Sequence, residues 1–159
     1  MRTLLVMRHA KSDWNADYER DHERPLNQRG VRSARYMGQV LSDEGQVPAL
    51  VITSTAVRAR TTAELANEAG DWDAEIVLDS NLYGSDAESA IRVASDAPDV
   101  GRLMLVGHQP AWSTLISVLT GERVEMKTAT VAVVEFAIDE WGGLAAGQGR
   151  IVAVFHPRS

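Results

Sequence analysis

Three short apolar runs constrain this chain more than any other feature: Thr3-Leu-Leu-Val-Met7, Ala49-Leu-Val-Ile52 and Leu103-Met-Leu-Val106. A strand with one face in water alternates polar and apolar residues. A run without alternation belongs to a strand buried on both faces, as in a parallel sheet covered by helices. The segments between the runs have helical spacing. Val31, Ala34, Met37 and Leu41 follow Asn27, an expected N-cap, and Ala56, Ala59, Ala63 and Ala66 form a stripe that stops near Gly70. Ser85-Asp86-Ala87-Glu88 reads as a capping box opening a helix through Ala94. Pro110 suits the first turn of a further helix with Trp112, Leu115, Ile116 and Leu119 inward and Gly121 as its stop. The valine-rich stretch 130–138 and residues 151–155 read as strands joined by a glycine-rich loop over 141–149, and Glu75–Leu78 as a short strand. The expected fold is an α/β three-layer sandwich, with a mostly parallel central sheet and helices on both faces, in a single domain spanning residues 1–159.

In an open α/β sheet, ligands bind beyond the carboxyl ends of the parallel strands. Applied to this chain, the rule selects few residues. Arg8-His9 follow the first run, Thr53-Ser54 follow the second with Arg58 one turn further, and Gly107-His108 follow the third. Two histidines and two arginines thus converge on one edge of the sheet. Arginine presents a planar fork of donors to phosphate oxygens and stays charged. A neutral histidine can attack phosphorus, while a second, protonated one donates to the oxygens as charge develops. A helix N-terminus near Arg58 adds backbone donors. Arginines beside the histidines would repel a cation, so neither metal nor cofactor is expected.

Composition narrows the reading. The net charge of -6 argues against a nucleic-acid partner, which needs a basic face, and makes any anion site a local one. The chain has no cysteine, which removes thiolate nucleophiles, cysteine-bound zinc and iron–sulfur clusters. No apolar run is long enough for a membrane span, and residues 1–7 lack signal-peptide character, so a cytoplasmic location is expected.

The same residues carry a family resemblance. Arg8-His9-Ala10-Lys11-Ser12 resembles the arginine–histidine–glycine signature of the histidine phosphatase superfamily, whose fold is that of the phosphoglycerate mutases. Arg24-Pro25-Leu26-Asn27-Gln28-Arg29-Gly30 is similar to the stretch that opens its first helix, Ser54–Ala63 to its second motif and Val106-Gly107-His108-Gln109-Pro110 to its third. The short length and the Arg-Pro-Leu run look most like the SixA-type phosphohistidine phosphatases. The resemblance implies that His9 becomes phosphorylated, that Arg8 and Arg58 hold the phosphoryl group and that His108 completes the pocket. It places Ser12 where the family often has a threonine near the phosphate, and the charge of Lys11 is well placed to attract an anion. Ala10 departs from the commoner glycine.

A second departure bears on substrate. Mutases and acid phosphatases of the family carry a carboxylic acid that protonates the leaving oxygen, and residues 78–88 give no clear match. Asp86 and Glu88 are candidates that the capping box already explains. An alkoxide leaves poorly without such an acid, whereas the imidazole of phosphohistidine can take its proton from solvent. The expected substrate is therefore phosphohistidine on a partner protein. A small phosphomonoester, hydrolysed or isomerised by a mutase of the same superfamily, is the alternative. Other polar residues are expected to be bland: His22 solvated, His156 outside the chemistry and Arg60 on the surface. Arg24 either reaches the rim of the pocket or, as is commoner, forms a surface pair with Asp21 or Glu23. Trp14 is expected at the mouth of the site, and Tyr83 either there or in the core.

Overall fold

The computed structural model describes residues 1–157. Its strands are β1 (Arg2–Arg8), β2 (Leu50–Thr53), β3 (Glu75–Leu78), β4 (Arg102–Gly107), β5 (Val131–Phe136) and β6 (Arg150–Phe155). Its α-helices are α1 (Gln28–Asp43), α2 (Val57–Ala69), α3 (Ala87–Ser95) and α4 (Ala111–Thr120). All six strands form one sheet in the order β3-β2-β4-β1-β5-β6. The first four are parallel, and β5 and β6 add antiparallel pairs at one side.

The unalternating runs are buried on both faces. Leu4 and Val6 pack with Trp112, Leu115 and the alanines of α3, while Leu5 and Met7 pack with Met37, Leu41 and the alanines of α2. Helices α1 and α2 thus cover one face, α3 and α4 the other. Handedness explains the partition. The connections from β1 to β2 and from β2 to β3 step the same way across the sheet, and the connection from β3 to β4 steps back. Right-handed crossovers then place the helix of the return step on the opposite face.

This reversal opens the crevice. Strands β1 and β4 are adjacent and in register, with Arg8 opposite Gly107. The chain leaves β1 toward one face and β4 toward the other, the arrangement in which such sheets bind ligands. Gly107 at the tip of β4 is required by space. A β-carbon there would stand 2.5 Å from the Trp112 ring, whose Nε1 donates to the Met7 carbonyl at 2.9 Å. That ring is fully buried and tied by its hydrogen bond, so it has no room to retreat. Gly107→Ala is expected to destabilise the fold by about 1–3 kcal/mol, the usual cost of overpacking, read as a lower urea midpoint.

Local differences from the sequence reading have simple causes. The N-cap of α3 is Asp86, which accepts from the Ser89 N–H at 2.9 Å, so the capping box with Ser85 as its first residue does not form. Pro110 is the N-cap of α4 and precedes its first turn. Residues 141–149 are not wholly loop: Trp141–Gly143 make a turn of 3-10 helix, because Trp141 is buried and donates to the Val100 carbonyl at 2.8 Å. Asn27 caps α1 as expected, accepting from the Gly30 N–H at 2.8 Å.

Candidate active site

The backbone delivers four side chains to one cleft. The His9 N–H donates to the Gly107 carbonyl at 3.0 Å and the Ser54 N–H to the Val106 carbonyl at 2.9 Å, so the three strand ends are tied at one level. Arg58 reaches back from the first turn of α2. Arg8, His9, Arg58 and His108 line a cleft of about 490 Å³ together with Lys11 and Ser12. The other lining side chains include Trp14, Asp21, Arg24, Tyr83, Gln109 and Thr128.

His9 is buried, and its Nδ1 lies 2.7 Å from the Ala10 carbonyl oxygen. A carbonyl only accepts, so Nδ1 carries the hydrogen and Nε2 keeps its lone pair. Burial lowers the His9 pKa to about 3; the Ala10 carbonyl opposes this, while His108, Arg58 and Arg8 add to it by repulsion. The ring is neutral at neutral pH. His108 lies 5.2 Å away, centroid to centroid, with its Nε2 2.8 Å from Ser54 Oγ. Burial, then the charge of Arg58, lowers its pKa to about 4 against the pull of Asp21. The expectation of a protonated second histidine is therefore corrected for the free protein: His108 is neutral and donates through one N–H.

Buried donors without a partner mark a protein's polar demand. Six buried side-chain polar atoms lack a partner among the described residues, and three belong to this cleft: Arg8 Nε, Arg58 Nε and His108 Nδ1. Arg8 uses Nη1 to donate to the Met126 carbonyl at 3.1 Å. Arg58 donates from Nη1 to the Asp21 carbonyl at 2.8 Å and from Nη2 to Asp21 Oδ2 at 2.9 Å.

Asp21 organises the mouth. It also pairs with Arg24, and Tyr83 Oη donates to its Oδ2 at 3.0 Å. Burial pushes the Asp21 pKa up, but the Tyr83 hydroxyl and the charges of Arg58 and Arg24 together outweigh that and hold it below the usual carboxylate value. Asp21 is the one carboxylate lining the cleft among the described residues. The two candidate acids are elsewhere. Asp86 caps α3 and lines a neighbouring hollow, and Glu88 faces Arg92 across one helical turn at 3.7 Å.

Several bland expectations need correction. Arg24 pairs with Asp21 and lines the cleft, but not as a surface cation: it is 5% exposed, donates from Nε to Ser12 Oγ at 2.9 Å, and lies 3.5 Å above the exposed Trp14 ring. Ser12 is thus engaged by Arg24 while lining the cleft. His22 is not solvated but half-buried, with Nε2 2.8 Å from Thr55 Oγ1 and its ring edge-on to Tyr83. Tyr83 borders the cleft, and its ring also meets that of His108. His156 pairs with Thr130 through Nδ1 at 2.9 Å and does not line the cleft. Asp21 was not expected as a site residue, and Ser54, placed at the second strand end, was expected without its bond to His108. Asp21 sits in the densely charged stretch 17–24, where nothing distinguishes it from its charged neighbours.

Comparison with known proteins agrees with this geometry. Residues 4–87 match the model of the histidine phosphatase superfamily, branch 1. An uncharacterized protein of Mycobacterium tuberculosis is 36% identical over 96% of this chain and 100% of its own length. A structure from Nakamurella multipartitia, assigned as a phosphohistidine phosphatase SixA, is 29% identical and covers 99% of this chain and 97% of its own, with a TM-score of 0.85. One from Agrobacterium tumefaciens with the same assignment is 26% identical, covers 98% of each chain and also has a TM-score of 0.85. With its sheet order, its helices on both faces and its crevice between β1 and β4, this chain belongs to the histidine phosphatase superfamily and is a SixA-like phosphatase.

Proposed function

We propose that the protein hydrolyses phosphohistidine on a partner protein, passing the phosphoryl group through His9 without metal or cofactor. The observation that carries this is the pairing of a neutral, hydrogen-bond-oriented His9 with a cleft whose one carboxylate among the described residues, Asp21, is kept below the usual carboxylate range by the Tyr83 hydroxyl and by Arg58 and Arg24. An ionised Asp21 is a poor proton donor to a leaving alkoxide.

In the first step His9 Nε2 attacks phosphorus and the bond from phosphorus to the substrate imidazole breaks. The departing ring takes a proton from solvent. Arg8, Arg58 and the His108 N–H receive the phosphoryl oxygens as they gain charge. Ser54 Oγ accepts the Ala56 N–H at 3.2 Å, and its own proton, donated to His108 Nε2, leaves the imidazole hydrogen on Nδ1. In the second step water attacks phosphorus, releases a proton to solvent and displaces His9 as inorganic phosphate forms. Lys11 sits exposed at the rim, where it attracts the incoming anion, and Ser12, buried in the lining, steadies Arg24.

The test compares a phosphohistidine peptide with a simple alkyl phosphate. Rates for the peptide are expected to exceed those for the ester by at least about 10²-fold, the span that general-acid help supplies to an alkoxide, and chelating agents are expected to leave turnover unchanged. Faster hydrolysis of the ester, or loss of activity with a chelator, would overturn the reading.

A further inference from the structure

A second hollow of about 320 Å³ adjoins the cleft, sharing Lys11 and Thr128 with it and lined also by Arg29, Lys127 and His156. The chain contains only two lysines, Lys11 and Lys127, and both are here. No carboxylate lines this hollow among the described residues. Lys11, Arg29 and Lys127 make no ion pair or side-chain hydrogen bond among those residues, whereas every ion pair found there uses an arginine elsewhere. Three cations side by side repel one another, and among the described residues no carboxylate lines the hollow to offset them, in a chain whose net charge is -6.

The backbones under these cations are fixed to the strand end that carries His9. The Asn27 N–H donates to the Lys11 carbonyl at 3.0 Å, and Gly30 packs so closely that a β-carbon would stand 2.1 Å from that oxygen. This clamps the first turn of α1, with Arg29, against Lys11. On the other side, the Ala129 N–H donates to the carbonyls of both Arg8 and His9 at 3.1 Å, and the Thr130 N–H to that of Lys127 at 3.0 Å. The charged groups are therefore held beside the cleft, with only their flexible ends free to adjust.

Resting on the function proposed above, we propose that this hollow binds a second anionic group of the substrate, an aspartate or glutamate side chain close to the phosphohistidine. Lysine is a point charge on a flexible stem and suits a carboxylate whose position varies between partners, where arginine would demand fixed geometry. The site would thus select phosphohistidines in acidic surroundings.

Calorimetry with non-hydrolysable ligands tests the hollow without turnover. An alkylphosphonate carries one anionic group, and carboxyalkylphosphonates of increasing length carry two. The added carboxylate is expected to tighten binding about tenfold at one length, equivalent to ~1.4 kcal/mol, with the gain fading at high salt. In Arg29→Gln/Lys127→Gln the gain disappears, while affinity for the plain alkylphosphonate serves as the internal check of folding. No gain at any length in the wild type, or a gain that survives in the double variant, overturns the proposal. A second arm compares phosphohistidine peptides flanked by glutamate or by glutamine. Preference for glutamate that the double variant loses supports a protein carboxylate as occupant. A gain confined to the small phosphonates overturns that occupant and points to a small doubly anionic ligand. If neither peptide is hydrolysed while the phosphonate gain is present, the function proposed above fails and the anion site stands.

Discussion

Replacing His9 with alanine is expected to lower phosphohistidine hydrolysis by about 10⁴- to 10⁶-fold, as removal of a nucleophile does. In the wild type, rapid quenching under conditions that preserve phosphoramidates should trap phosphate on His9, and none should appear in the variant. A structural role for His9 predicts a different pattern, with modest loss of activity in step with loss of stability. Acid stability provides the second readout. An unfolded histidine protonates near 6.5, whereas folded His9 does so only near 3. Between those values the unfolded chain binds more protons, so falling pH destabilises the fold. His108, lowered to about 4, acts in the same direction. His9→Ala removes one of these contributions, and its urea midpoint should fall less between pH 7 and pH 5 than that of the wild type. Equal falls would show that His9 is not held neutral by the fold.

Arg58→Ala is expected to reduce kcat by about 10²–10³-fold, the cost of one donor at a developing anion. The structural reading is a serious competitor here, because Arg58 braces Asp21 through its carbonyl and its carboxylate. Arg58→Lys separates the two. A lysine restores the charge but cannot span both oxygens with a planar fork, so it should recover part of the activity and little of the order around Asp21. His108 adds a further check: Arg58 is the largest influence on its pKa after burial, and that pKa should rise in Arg58→Ala, as an NMR titration would read. Activity within about tenfold of wild type in Arg58→Ala would reduce the residue to a strut of the mouth, well short of the loss a lost anion donor causes.

The parts of this protein legible in its sequence were those set by local pattern and by chain order. Leu4, Leu5, Leu103 and Leu105 signalled strands buried on both faces because burial from two sides leaves no room for a polar residue. Strand ends then located Arg8, His9, Arg58 and His108 without side-chain information. Asp21 and Arg24 were read only in part for the converse reason. Their pair forms as expected, but short-range pairing of opposite charges on a polar stretch is ordinarily a weak surface event, and the further partners that draw them into the cleft, Arg58, Tyr83 and Ser12, lie in distant segments. His22 was misplaced in the same way, since Thr55 comes to it only when α2 docks. Asp86 shows that a motif can be nearly right: a cap exists where one was expected, but the residue that accepts the free N–H is one position later.

The sequence by itself determined the class of sheet, the faces of its helices and the edge where chemistry would gather. These follow from periodicity and from the handedness of crossovers, which are properties of short segments and of chain order. Only the tertiary structure decided the electrical state of that edge. The neutrality of His9 and His108 comes from burial against groups far apart in the chain, and the lowered pKa of Asp21 from its contacts with Tyr83, Arg58 and Arg24. The same is true of Lys11, Arg29 and Lys127, which become one cationic hollow because Gly30 packs on the Lys11 carbonyl and Ala129 bonds to the end of β1. Charge depends on distance through space, and distance through space is what a linear sequence does not display.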